Sequence, residues 1–165
     1  MLRPYLVTWY RLDGQIAGVL SALGDIDGVG VDADGFIPCF ATVASLLAYA
    51  SANGLHPIIG EDPLNTKPID LDRLQKRLTA SSCETWLNAW NLFADVGVSV
   101  GVPFDENHQE TNRVYDKLFF GSNLSSITPV GKSYLPIWSA EEWIQLRSLM
   151  ARGLEIFRAY VKLHA

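Results

Sequence analysis

Ser139-Ala140-Glu141-Glu142-Trp143-Ile144-Gln145-Leu146-Arg147-Ser148-Leu149-Met150 opens the clearest element of the chain. Ser139 and Glu142 stand three apart, the spacing at which each side chain satisfies a free backbone N–H of the other at a helix N-terminus. Trp143, Leu146, Met150, Leu154 or Phe157, and Val161 then follow at helical spacing. A helix with so continuous an apolar stripe needs other elements to bury it, and the preceding sequence supplies them.

Upstream of a loop holding Pro129, Gly131 and Pro136, residues 111–120 have helical character, ended by Gly121. A stronger helix begins at Cys83 or Glu84 and runs to about Ser99. Its Leu87, Trp90, Phe93 or Ala94, and Val98 form a broad apolar face. Asp70 opens a short amphipathic helix over 71–78, with Leu71, Leu74 and Leu78 on one side, after a proline-rich loop over 57–68. Thr42 caps a helix over 43–53 in which Leu46, Leu47 and Ala50 share a side, and Gly54 stops it.

The first 40 residues differ. Tyr5-Leu6-Val7-Thr8-Trp9-Tyr10 is rich in β-formers and predicts a strand. Glycines at 14, 18, 24, 28, 30 and 35 then divide short apolar pieces such as Val29-Gly30-Val31 and Phe36-Ile37-Pro38. Such spacing predicts short strands and tight turns, although residues 15–23 suit a short helix equally well. The expected architecture is α+β: a predominantly helical single domain with a small N-terminal antiparallel sheet. Residues 1–40 form its strand- and turn-rich acidic part, and 41–165 its helical part.

Composition agrees, because 165 residues that are 48% hydrophobic and 19% charged suit one core-forming domain. Cys39 and Cys83 belong to no CxxC or Cys/His spacing, so two unpaired thiols are expected. No secretory leader pattern and no apolar run of membrane-spanning length is present. The expectation is a soluble cytoplasmic protein with no membrane partner.

Charge is distributed unevenly. Residues 12–66 contain no lysine or arginine but seven carboxylates: Asp13, Asp25, Asp27, Asp32, Asp34, Glu61 and Asp62. The last 99 residues balance eleven acidic against eleven basic side chains, and Arg3 and Arg11 complete a net charge of −5. A one-signed segment of this kind bears on association rather than fold. It favours a positively charged partner and disfavours nucleic acid.

Catalytic motifs fail one by one. Val29-Gly30-Val31-Asp32-Ala33-Asp34-Gly35 has the look of the nucleophile loop of haloacid-dehalogenase-like phosphatases, but neither a downstream acidic pair on a strand nor repeating β-α-β units follow. A calcium loop starting at Asp25 has Val29 at its fifth position and Phe36 at its twelfth; one starting at Asp32 has Phe36 at its fifth. Gly131-Lys132-Ser133 lacks the first glycine of a phosphate loop, since position 126 is serine. His56, His108 and His164 have no metal-ligand spacing, and no serine sits in a G-x-S-x-G elbow. No catalytic residue, metal site or cofactor is expected. The aromatics of the second half, Trp86, Trp90 and Phe93 among them, predict core, since that half has no net positive charge to bind nucleic acid.

Several strings carry a resemblance together: Leu87-Asn88-Ala89-Trp90-Asn91-Leu92-Phe93-Ala94-Asp95, then Tyr115-Asp116-Lys117-Leu118-Phe119-Phe120-Gly121-Ser122-Asn123-Leu124. Thr128-Pro129, Pro136-Ile137-Trp138-Ser139 and Gly153-Leu154 complete the set. Over roughly residues 36 to 158 the chain resembles immunity proteins encoded beside toxins of bacterial contact-dependent growth inhibition systems. The resemblance implies a small cytoplasmic protein without enzymatic activity that binds the toxin's C-terminal domain and blocks its active site. Toxins of such systems are commonly nucleases, whose clefts are basic.

The expectation that joins charge and resemblance is an acidic surface covering a basic cleft. Asp25, Asp27, Asp32 and Asp34, helped by Asp13, Glu61 and Asp62, would engage the toxin, with Trp9, Tyr10 or Phe36 as an aromatic anchor. The plainer role for each carboxylate is to cap a turn or keep the sheet soluble. Two alternatives stand beside it: a metal-dependent phosphohydrolase using Asp32 and Asp34, and a non-enzymatic adaptor for a basic partner.

Overall fold

Asp13 and Gly14 both adopt positive φ, 53° and 75°, and make a two-residue hairpin loop between β1 (Tyr5–Leu12) and β2 (Gln15–Ala22). An Asp-Gly pair supplies the left-handed conformations that match the twist of paired strands. The strands run in register from Leu12↔Gln15 to Tyr5↔Ala22. This turn settles residues 15–22 as a strand. The structure is a computed structural model describing residues 4–22, 28–59, 67–76, 82–105 and 108–165.

β3 (Ile37–Phe40) continues the sheet antiparallel to β2, pairing Gly18 with Phe40 and Val19 with Cys39. The remaining strands are parallel and lie outside the first 40 residues. β4 (Pro57–Ile58) and β5 (Ile69–Asp70) pair with β1, while β6 (Val161–Leu163) pairs with β3. The sheet therefore has six strands in the order β4-β1-β2-β3-β6, with β5 also on β1, and is mixed. A purely antiparallel N-terminal sheet was too narrow an expectation. Two- and three-residue strands have no room to show a period of two, so their sequences carry no strand signal.

Successive residues of a strand face opposite sides, and two layers use this alternation. Val19, Ile37 and Cys39 join a large core with the long helices, whereas Leu20 and Phe40 join Leu46 in a smaller one. Leu46 belongs to α1 (Val43–Ala52), where Thr42 Oγ1 accepts the Ser45 N–H at 3.1 Å, as its capping role requires. Leu47 points outward, 46% exposed.

The large core centres on α2 (Cys83–Val100), which buries Trp86, Ala89, Trp90, Phe93 and Val96. Val98 lies on its solvent side. α3 (His108–Gly121) and α4 (Ala140–Tyr160) both pack on α2. At Gly153 of α4 an added Cβ would overlap the Phe93 ring of α2, so this glycine permits the close approach of the two helices. The reciprocal cap at Ser139 and Glu142 is present, and α4 runs directly into β6. The segment after Asp70 is a 3-10 turn over Leu71–Gln75; Leu78 of the expected helix lies outside the described residues. Cys39 and Cys83 are buried and unpaired. The whole is a single α+β domain with α1 on one face of the sheet and α2 and α4 on the other.

Candidate functional site

Of the seven carboxylates in the charge-biased window, Asp25, Asp27, Glu61 and Asp62 lie outside the described residues. Asp13 is at the β1–β2 turn, committed to the fold. Its two oxygens accept from Arg158 Nη1 and Nη2 at 2.7 and 2.8 Å, and this guanidinium holds the Asp13 carboxyl below the usual carboxylate range. Asp72 accepts the N–H groups of Asp13 and Gly14 at 2.7 and 3.0 Å, fixing the same turn from below.

Asp32 and Asp34 are brought together elsewhere, near the open end of the hairpin. An eight-residue strand separates that end from Asp13 by roughly 25 Å. Asp32 Oδ1 accepts the N–H groups of Asp34 (2.9 Å) and Phe36 (3.0 Å), and Gly35 takes φ 84° in the same turn. An aspartate that bonds its own following backbone defines such a turn. One oxygen of Asp32 is thereby occupied. Neither Asp32 nor Asp34 forms an ion pair among the described residues.

Both carboxylates line a concavity of about 540 Å³ whose other walls include Tyr5, Tyr49, Asn53 and His164. α1 delivers Tyr49, and β6 delivers His164, whose N–H donates to the Cys39 carbonyl at 2.9 Å. The rings of Phe40, Tyr49 and His164 meet one another at 4.9 to 5.7 Å between centroids. Burial, then the Asp32 charge, then Tyr5, push the Tyr49 hydroxyl above its ordinary pKa. It therefore stays protonated, a neutral donor facing carboxylates. Chemically, this arrangement offers negative charge and aromatic rings in one concavity, which suits an ammonium or guanidinium group.

The aromatic anchors expected from sequence are different residues. Trp9 and Tyr10 are 6% and 5% exposed, with Tyr10 edge-on to Phe157 at 4.8 Å, so neither can touch a partner. They read as surface candidates only because β-rich runs do not reveal which face is covered. Phe36 is accessible, with the Lys162 ammonium 5.9 Å from its ring centroid. Tyr5, Tyr49 and His164 were missed, because they come from three distant segments and meet only through sheet pairing.

A second concavity of about 780 Å³ lies between α3 and α4, lined in part by Glu110, Arg113, Glu141, Glu142 and Arg152. Its buried charges are matched internally. Lys117 Nζ lies 2.8 Å from both oxygens of Glu142, donating to Oε1, and Ser139 N–H adds a bond at 3.1 Å. Burial would raise the Glu142 pKa, but these donors outweigh it and hold the carboxyl below its ordinary value. Asp105, likewise buried, accepts the Thr111 hydroxyl at 2.6 Å. Among the described residues no group of three or more His, Cys, Asp or Glu side chains is placed to hold a metal ion. Among them, too, no helix is long and apolar enough to cross a membrane.

Compared with protein-family models, curated proteins and solved structures, the chain matches none.

Proposed function

We propose that this protein is an immunity-type inhibitor, which binds a basic toxin domain through the concavity walled by Asp32 and Asp34 and leaves it unable to reach its substrate. The observation that carries this reading is the pair itself: two carboxylates without cation partners among the described residues, lining one concavity with Tyr5, Tyr49 and His164. A basic side chain entering there meets opposite charge and a π face together. The −5 net charge supports the reading by steering a cationic partner toward the protein at long range. The resemblance of the helical strings points the same way independently of charge; in the fold those residues are scaffold, with Trp90 in the core, Asn123 bracing a loop and Gly153 setting the contact of α2 and α4.

The test is to look in the adjoining reading frame for a large protein ending in a basic domain, and to mix that domain, purified, with this protein. A stoichiometric complex in which the domain's toxicity is lost is expected. Failure to form a complex, with both proteins folded, contradicts the proposal.

A further inference from the structure

Between Lys117 and Glu141 the only charged residue is Lys132. Most of this stretch is the loop over 122–139 that joins α3 to α4. Phe120, Ile127, Val130, Tyr134, Leu135 and Ile137 are all exposed there, Val130 fully and Ile137 by 85%. The loop is nonetheless firmly built. Asn123, at φ 50°, accepts the Tyr134 N–H at 2.6 Å and returns a bond from Nδ2 to the Tyr134 carbonyl at 3.0 Å. Lys117 donates to the Ile137 carbonyl at 2.6 Å, and the Pro136 ring packs 3.0 Å from where a side chain at Gly121 would begin, with Cys83 Sγ at 2.8 Å on the same position. The Lys132 N–H closes a turn on the Pro129 carbonyl with Gly131 at φ 77°, which leaves Val130 at the tip. Polar groups thus hold an apolar surface toward solvent.

We infer that this loop is the interface of a homodimer. Two observations select a second copy as the occupant. The six side chains present area on the order of one partner's share of a standard interface, about 800 Å². In addition, the chain carries −5, so two copies repel, and this charge-poor stretch, with no carboxylate from Lys117 to Ala140, is where that repulsion is least. An apolar patch without acidic residues is complementary to itself, as a two-fold contact requires. The loop adjoins the N-terminus of α4, and His164 follows its C-terminal end; 21 helical residues span roughly 30 Å. Dimerisation therefore leaves the Asp32–Asp34 concavity of each copy open, and the inference does not depend on the proposed function.

Sedimentation equilibrium of the full chain, from micromolar to sub-millimolar concentration, tests it. The expected result is a monomer–dimer equilibrium that tightens as salt screens the repulsion. A V130D/I137D variant should weaken it by roughly a hundredfold, because each carboxylate would be desolvated at the contact. Both positions are exposed, so the variant should melt like the wild type, and a D32N/D34N variant should dimerise normally. A wild type that stays monomeric throughout, or a dimer that tolerates V130D/I137D, overturns the inference.

Discussion

The two concavities treat their carboxylates in opposite ways. At the sheet end, Asp32 and Asp34 face solvent beside aromatic rings and have no ion pair among the described residues. Between α3 and α4, Glu142 is buried and gripped by Lys117 and the Ser139 N–H. A buried carboxylate with its partners in place holds a fold together and has nothing left to offer. An exposed one contributes little to stability and keeps its charge for another molecule. A carboxylate is therefore structural where a cation is paired with it, as at Glu142 and Asp13, and available where none is among the described residues, as at Asp32 and Asp34.

This contrast breaks most readily at Lys117. Replacing it by methionine leaves the buried Glu142 carboxylate with only the Ser139 N–H and the exposed Arg113 guanidinium, 3.9 Å away, at a cost of about 3 kcal/mol to folding, measurable by denaturant unfolding. A loss well under 1 kcal/mol would put Glu142 in the same class as the surface aspartates. Next is Gly153→Ala, which forces the Phe93 ring aside in a packed interior and should lose roughly 1–3 kcal/mol while leaving partner binding intact. Weakened binding at preserved stability would tie the site to the helical core instead.

Acid sharpens the comparison. Glu142 and Asp13 both have folded-state pKa values below their ordinary ones. The stability they contribute is complete above the ordinary carboxylate range, about pH 4, and is lost as pH falls through the lower folded values. The wild type should therefore lose stability below about pH 4, and Glu142→Gln should make that fall shallower. An unchanged slope would remove Glu142 from the account. The smallest effect belongs to the sheet end. Asp32→Asn keeps an oxygen to accept the turn's two N–H groups, and Asp34 has no ion pair among the described residues, so D32N/D34N should alter stability by under ~0.5 kcal/mol.

Legibility from sequence followed the length of the signal. The caps at Thr42 and Ser139, the stop at Gly54 and the extent of α2 were all readable, because capping and helical periodicity are local. The Asp13-Gly14 pair is equally local, yet residues 15–23 stand open between strand and helix on sequence, and the turn's geometry decides 15–22 as a strand. What was not readable was assembled across the chain. β4, β5 and β6 are too short to carry a pattern, and the Asp13–Arg158 pair joins residues 145 apart. That pairing is why one aspartate of the acidic window is structural while two others line a concavity. Nothing in their immediate neighbours distinguishes them. The walls of that concavity, Tyr5, Tyr49 and His164, converge only once β6 has paired with β3.

The central claim rests on Asp32 and Asp34 as the contact with a basic partner. Its most direct test is the association rate of the D32N/D34N variant with a basic toxin domain that the wild type binds, measured against wild type across a salt series. The account predicts an association rate lower by roughly tenfold or more at low salt, with the two proteins converging as salt screens the charges. Equal rates at every salt concentration, with the variant folded as stably as wild type, would contradict it.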